Sequence, residues 1–321
     1  MNRAFIFPGQ GSQAIGMGKD IYDREFVAQN VFSTLDEILE RPLSEVIFYG
    51  QDSILADTVN TQPAIMATSI AIMRTIMHYS GKKIEELCSV VAGHSLGEYS
   101  ALCASGVLSL EQTIKLLDIR ANSMKTACIG LNVGMAACIG VDADILQAII
   151  DDSLEEEGIC QIANDNIIGQ IVISGEMRYI DLVVEKLEQK NYRAIKLNVS
   201  GAFHSALMKP AEIAMRKAIS SEEFCAPKVP IISNINGVIT KDREVIRENL
   251  LNQICGSVKW RQTMDELAKL GITEVVEIGP GKVLSNLARK SGHNFAVRNV
   301  SNLAEIQEFV AQINTQKAHS Q

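Results

Sequence analysis

The sequence predicts an α/β protein: a mostly parallel sheet covered by helices, interrupted by a compact inserted unit. Three observations point there. Short apolar runs end at glycine or proline and give way to segments of helical length, toward both ends of the chain. One of these runs, Ser89 to Ala92, feeds directly into Gly93-His94-Ser95-Leu96-Gly97. Between about 128 and 198 the alternation changes to the order β-α-β-β-α-β, that of a ferredoxin-like unit.

In chain order, Arg3 to Phe7 is a short apolar run closed by Pro8-Gly9, a first strand. Thr61-Gln62-Pro63 opens a helix to about Ser80, with proline near the first turn, where its missing N–H costs little. After the strand Ser89–Ala92, a helix should run from the glycine-flanked serine to about Ser105-Gly106. Ser109 with Gln112 forms a capping box, and Leu110, Ile114, Leu117, Ala121 and Met124 share one face of the following helix. Within the insertion, Gly134–Gly140, Ile159–Ala163, Gln170–Ser174 and Arg193–Val199 read as strands, and Asp144–Glu156 and Met177–Lys190 as helices. Alternation then resumes. Val229–Ser233 is a strand, Arg243–Gln253 and Val258–Leu270 are helices, Glu274–Ile278 is a strand, and a helix begins near Val283. Asn314 to Gln321 is polar and expected to fray.

The 321 residues, 47% hydrophobic and 21% charged, suit an ordinary globular chain with ample core material. A net charge of −8 argues against nucleic acid as a partner, since phosphate binding needs a basic excess. The seven cysteines are scattered, without C-x-x-C pairs or histidines at zinc spacing, so free thiols in a reducing cytosol are expected and no metal site. The N-terminus is too short in apolar residues for a signal peptide. The most apolar stretch, Ala64 to Met77, is broken by Thr68, Ser69, Arg74 and Thr75, so a buried helix is expected there and no membrane span.

The pentapeptide at 93–97 fits G-x-S-x-G between a strand and a helix. Such a turn pushes the serine hydroxyl out at the top of a sheet, and the next helix offers N–H groups to a developing oxyanion. The serine needs a base. Of the five histidines, His78, His293 and His319 lie at helix ends or near the C-terminus, and His94 should diverge from its neighbour. His204, just past a strand and before a helix, is a candidate, although a lone loop histidine is by spacing alone more often merely satisfied than catalytic.

Six short motifs occur in order: Phe7-Pro8-Gly9-Gln10-Gly11-Ser12-Gln13, Thr61-Gln62-Pro63-Ala64, Gly93-His94-Ser95-Leu96-Gly97-Glu98, Gly134-Met135-Ala136, Gly201-Ala202-Phe203-His204 and Gly279-Pro280-Gly281-Lys282. Any one is weak, but together, spanning Phe5 to about Ala288, they resemble the malonyl-CoA:acyl carrier protein transacylases, the acyltransferases of type II fatty acid synthesis. The resemblance implies a large α/β-hydrolase-like subdomain (1–127 and 199–321) with an inserted ferredoxin-like subdomain (128–198). It implies Ser95 as nucleophile, His204 as base, and the backbone N–H groups of Leu96 and Gln10 as oxyanion donors. It implies that the backbone carbonyl of Gln253, and no carboxylate, orients His204. Arg120 alone would read as an ion-pairing residue, with Asp118 badly placed at i−2; the resemblance assigns it to the malonyl carboxylate, which a guanidinium fork binds in parallel. Phe203 should crowd out an α-methyl branch, and Gln62, Asn164 and Asn166 resemble further pocket residues.

Malonyl-CoA and holo acyl carrier protein are the expected partners, with no metal or cofactor, for a monomer in the cytoplasm. The chain departs from the family at Gly256-Ser257, where Asn-Pro is usual and the placement of the Gln253 carbonyl is affected. Ile167-Ile168 replaces Ser-Pro and is expected to alter the pocket rim. An acidic carrier docking on an acidic chain needs a local basic surface. Lys186, Lys190, Arg193 and Lys196, or Lys209, Arg216 and Lys217, are the candidates. Three rivals stand beside this reading: a serine hydrolase with Asp165 or Asp181 as third triad member, an acyltransferase of polyketide synthesis, and a non-catalytic scaffold.

Overall fold

The computed structural model describes residues 2–199 and 201–318. Its strands are β1 (Arg3–Phe7), β2 (Val90–Gly93), β3 (Val133–Ile139), β4 (Cys160–Ile167), β5 (Gln170–Glu176), β6 (Arg193–Lys196), β7 (Ile231–Ile232), β8 (Ile239–Thr240), β9 (Glu274–Ile278) and β10 (Ala296–Val300). The helices are α1 (Lys19–Tyr22), α2 (Phe26–Leu39), α3 (Leu43–Tyr49), α4 (Asp52–Leu55), α5 (Thr58–Ser80), α6 (Leu96–Ala104), α7 (Leu110–Thr126), α8 (Ala143–Asp151), α9 (Met177–Gln189), α10 (Lys209–Ser220), α11 (Arg243–Asn252), α12 (Trp260–Lys269), α13 (Val283–Lys290) and α14 (Leu303–Ala318).

The large sheet runs β10-β9-β1-β2-β7-β8, parallel except for β8. β1 is buried on both faces: Ala4 and Ile6 join one apolar cluster, Phe5 and Phe7 the other. That is why its sequence is an unbroken apolar run instead of an alternating one. Phe7 pairs with Gly93, so the ends of β1 and β2 lie side by side and the turns that follow them share one edge.

The small sheet is antiparallel in the order β4-β5-β3-β6, and its chain order is β3-α8-β4-β5-α9-β6. Alternation divides its faces. Ala136, Cys138, Ile171 and Ile173 pack under α8 and α9, while Met135, Ala163 and Val172 join the main core. Backbone bonds tie β4 of the small sheet to the segment before α12. Val258 N–H donates to Ala163 O at 2.8 Å, and Asp165 N–H donates to Val258 O at 3.0 Å.

Several boundaries differ from expectation, each for a local reason. α5 starts at Thr58, capped by Asp57, so Pro63 lies inside it. Its missing N–H frees the Val59 carbonyl, which accepts from Arg41 Nη2 at 3.0 Å. α8 ends at Asp151, because Glu155, Glu156 and Glu157 would set negative charge against the helix C-terminus. Pairing of Val258 with the small sheet delays α12 to Trp260. β6 stops at Lys196, although Leu197 N–H still reaches Met135 O at 2.9 Å. Asn314, expected to fray, is still helical in α14, and residues 319–321 lie outside the described ones. The apolar stretch 64–77 is largely buried within α5, and no helix among the described residues is long and apolar enough to cross a membrane. All seven cysteines are free.

Candidate active site

Ser95 sits at the turn between β2 and α6, at φ 54° and ψ −113°. It and His204, at φ 56°, are two of the four non-glycine residues with positive φ among the described residues. Backbone held in this sparsely populated region is a mark of functional turns. The flanking glycines are sterically required: a Cβ on Gly93 would collide with the Gly97 carbonyl, and one on Gly97 with the Phe7 carbonyl. Asn234, following β7, clamps the turn. Its Oδ1 accepts from Ser95 N–H at 2.7 Å and its Nδ2 donates to Gly93 O at 2.6 Å.

Ser95 Oγ lies 2.7 Å from Nε2 of His204. The other ring nitrogen, Nδ1, faces two backbone carbonyls, Gln253 at 2.9 Å and Gly256 at 3.2 Å. They take an N–H from Nδ1, which leaves Nε2 as the acceptor for the serine hydroxyl. Gly256, where the sequence departs from the family, thus contributes the second carbonyl. Its Cβ-less backbone is needed there, since a Cβ would run into Ile235 and Asn252 O. Neither rival carboxylate reaches His204: Asp165 binds Arg261 with both oxygens and Asp181 pairs with Lys196.

Burial holds His204 far below the ordinary imidazole range, to about 3, with the Arg120 charge adding to the shift and the two carbonyls opposing it. The neutral ring is the form that accepts a proton. An unfolded histidine takes its proton near 6.5 and the folded one only near 3, so stability is lost as pH falls through that window. By pH 5 the loss from this group is expected to be ~2 kcal/mol. Denaturant unfolding at pH 8 and pH 5 measures it, and His204→Asn should show the smaller drop.

Arg120, 1% exposed, reaches the same point from α7. Nη1 donates to Gln62 Oε1 at 2.6 Å, and Nη2 donates to Gln253 Oε1 at 2.9 Å and to Ser95 Oγ at 3.1 Å. Gln253 Nε2 in turn donates to Glu98 Oε2 at 2.6 Å and to Ser95 O at 3.0 Å. Burial pushes the Glu98 carboxyl up to about 7, against the opposing effects of bonds from Gln253 and Asn234 and of the Arg120 charge.

These groups lie at or beneath the floor of a cavity of about 370 Å³, lined also by Gln10, Leu96, Met135, Asn164 and Phe203. Leu96 opens α6, where N–H groups lack intrahelical partners. Gln10 follows β1, and its side-chain Oε1 accepts from Thr58 Oγ1 at 3.3 Å. Phe203 is buried and lies where a Cβ on Gly201 would stand.

Asn166 does not line the cavity. Register shifts in β4 break the alternation that would put it beside Asn164, and its Oδ1 meets Nε2 of His94 at 2.9 Å. Ile167 is buried against the second core cluster and Ile168 is exposed at the hairpin tip, so neither forms the rim. Of the basic residues considered for docking, Lys186 lies on α9, while Arg193 and Lys196 lie on β6, next to the cavity-lining Leu197. Helix α9 covers the small-sheet face opposite Met135, and Lys186 and Lys196 are paired with Asp152 and Asp181. Lys209 and Arg216 both pair with Glu212.

Sequence reasoning missed Asn234 and the buried role of Glu98. The available signal was position: Ser233-Asn234 follows a short apolar strand at the edge of a parallel sheet where sites gather.

The model of a family described as "Acyl transferase domain" matches residues 4–315. A malonyl CoA-acyl carrier protein transacylase of Bacillus subtilis is 41% identical over 288 residues, 89% of each chain. The crystal structure of an acyl-carrier-protein-S-malonyltransferase from Bartonella henselae superposes with a TM-score of 0.94 at 44% identity, covering 98% of this chain and 100% of that one. A malonyl-transacylase structure solved with a type II PKS acyl-carrier protein gives 0.92 at 32%, covering 97% and 100%. The chain therefore belongs to the acyl transferase family and, within it, to the malonyl CoA-acyl carrier protein transacylases.

Proposed function

We propose that this enzyme transfers the malonyl group from malonyl-CoA to the phosphopantetheine thiol of an acyl carrier protein, in fatty acid synthesis, through a malonyl ester on Ser95. The observation that carries the reading is Arg120: a buried cation whose three hydrogen bonds all go to neutral oxygens, 3.1 Å from the nucleophile. A desolvated guanidinium with no anion in contact is costly to maintain, and an acyl group bearing a carboxylate supplies that contact.

Ser95 Oγ attacks the thioester carbonyl while Nε2 of His204 takes its proton. The backbone N–H groups of Leu96 and Gln10 hold the oxyanion. As the C–S bond breaks, His204 returns the proton to the coenzyme A thiolate. The carrier thiol then gives its proton to His204 and attacks the ester, and Ser95 leaves with that proton. Two carbonyls on Nδ1 fix the tautomer as a carboxylate would, while stabilising imidazolium less. The reaction as written needs no metal or redox cofactor. Phe203 restricts the α-carbon, which supports malonyl over branched acyl groups.

We read the large sheet as an α/β-hydrolase-like subdomain of residues 1–127 and 199–321, and the small sheet as a ferredoxin-like subdomain of 128–198. The strand orders of the two sheets support this. The setting proposed is a cytoplasmic monomer. The test is to load the enzyme with malonyl-CoA and follow discharge of the adduct with and without holo carrier protein. Discharge that requires the carrier and yields malonyl-carrier is expected. Release as free malonate at the same rate in buffer alone would instead mark a hydrolase.

A further inference from the structure

The Gln253 side chain joins two buried ionisable groups that do not touch. Its Oε1 accepts from Arg120 and its Nε2 donates to Glu98, and the three residues are between 0% and 2% exposed. A guanidinium offers only donors, and the Glu98 carboxyl, with or without its proton, turns Oε2 as an acceptor toward the Gln253 amide. Placed at opposite ends of one amide, they fix its direction, with –NH₂ toward Glu98 and C=O toward Arg120. The reversed amide would set donor against donor and acceptor against acceptor. Gln62 repeats the arrangement on the other flank: Oε1 accepts from Arg120 Nη1, and Nε2 donates to Thr58 Oγ1 at 3.0 Å. Glu98 is held in its turn by Asn234 N–H, at 3.3 Å.

A glutamate at position 253 would place a carboxylate where Oε1 now stands, 2.9 Å from the guanidinium. Arg120 would then carry a resident counter-ion. A neutral amide in series passes on the hydrogen bond and its geometry, and it leaves Arg120 with no carboxylate in contact and Glu98 acting only at longer range. We propose that the Gln253 side chain is a neutral spacer, oriented by Glu98, which keeps the Arg120 charge free for the carboxylate of the acyl substrate. Both are positioning residues for substrate selection, acting through Arg120, and this function of Gln253 is separate from that of its backbone carbonyl on His204. The inference rests on the reading of Arg120 as the carboxylate receptor.

The test compares kcat/KM for malonyl-CoA and acetyl-CoA in the full-length enzyme and in Gln253→Glu, Gln253→Met, Glu98→Gln and Arg120→Ala, with a thermal melt of each. Gln253→Glu is expected to lower the malonyl-to-acetyl ratio by about tenfold to a hundredfold, mainly through KM for malonyl-CoA. Gln253→Met, which removes the spacer without adding charge, should lower it less. Glu98→Gln frees the amide to turn and should lower it by about threefold or more. A merely structural role would depress both substrates alike and leave the ratio unmoved. If Gln253→Glu fails to fold, Glu98→Gln and Gln253→Met carry the test. An unchanged ratio in the folded variants, with a collapsed ratio in Arg120→Ala, overturns the spacer alone. An unchanged ratio in Arg120→Ala overturns the reading beneath it.

Discussion

Ser95→Ala is expected to show no mass increase after incubation with malonyl-CoA, where the wild type gains one malonyl group. Turnover to carrier protein should fall by about 10⁴-fold or more. The size of the effect follows from geometry. Only the hydroxyl of Ser95 is shared between His204 Nε2 at 2.7 Å and Arg120 Nη2 at 3.1 Å. The contributions of Ser95 to the fold are made by its backbone, through the N–H held by Asn234 and the carbonyl held by Gln253. Alanine retains both, and it tolerates the observed φ as well as serine does, so the variant isolates the chemistry from the turn. An adduct that persists in Ser95→Ala would place the nucleophile elsewhere.

Arg120→Ala should cost malonyl-CoA about 10²- to 10⁴-fold in kcat/KM, because two charge-assisted bonds of ~1.5–3 kcal/mol each are lost. Acetyl-CoA, with no carboxylate, should lose far less, so the preference between the two largely disappears. The protein need not be destabilised to the same degree. Removing a desolvated cation offsets part of the cost of leaving the oxygens of Gln62 and Gln253 without a donor. Steady-state kinetics with both thioesters, beside a thermal melt, separates loss of selection from loss of folding. A variant that keeps the wild-type preference would remove Arg120 from this role.

The legible parts of the fold were those with strong local punctuation. β1 and β9 are short strands stopped by Pro8-Gly9 and Gly279-Pro280, and α7 carries a capping box that the structure forms in full. Helices α1 to α4 went unassigned, and in none of the four does the residue before the first turn cap it with its side chain. They are held by packing of residues such as Phe32, Leu43 and Phe48, which periodicity over four to fourteen residues marks only weakly. At the site, Ser95 stood out because an elbow has a five-residue signature. His204, Gln253 and Arg120 did not, since each comes from a different element and their meeting is a product of tertiary structure. The family resemblance supplied that meeting, and the distances agree with it for all three. It supplied nothing for Asn234 or for the direction of the Gln253 amide, which only coordinates can give. Asn166 was misplaced for a comparable reason: a register shift inside a strand moves a side chain without any change in composition.

The pairing of β4 with the segment before α12 bears on how this enzyme can be rebuilt. Asn164 faces Val258, and Arg261, one residue into α12 beyond Trp260, grips Asp165 with two nitrogens. A graft that exchanged only residues 128–198 between two relatives would cut through that seam, leaving an unmatched edge beside the loop whose carbonyls hold His204. The exchangeable module is discontinuous: the insertion together with the stretch from Gln253 to Arg261. Chimeras that move both pieces preserve the seam, and those that move one inherit a misfitting joint about the His204 imidazole.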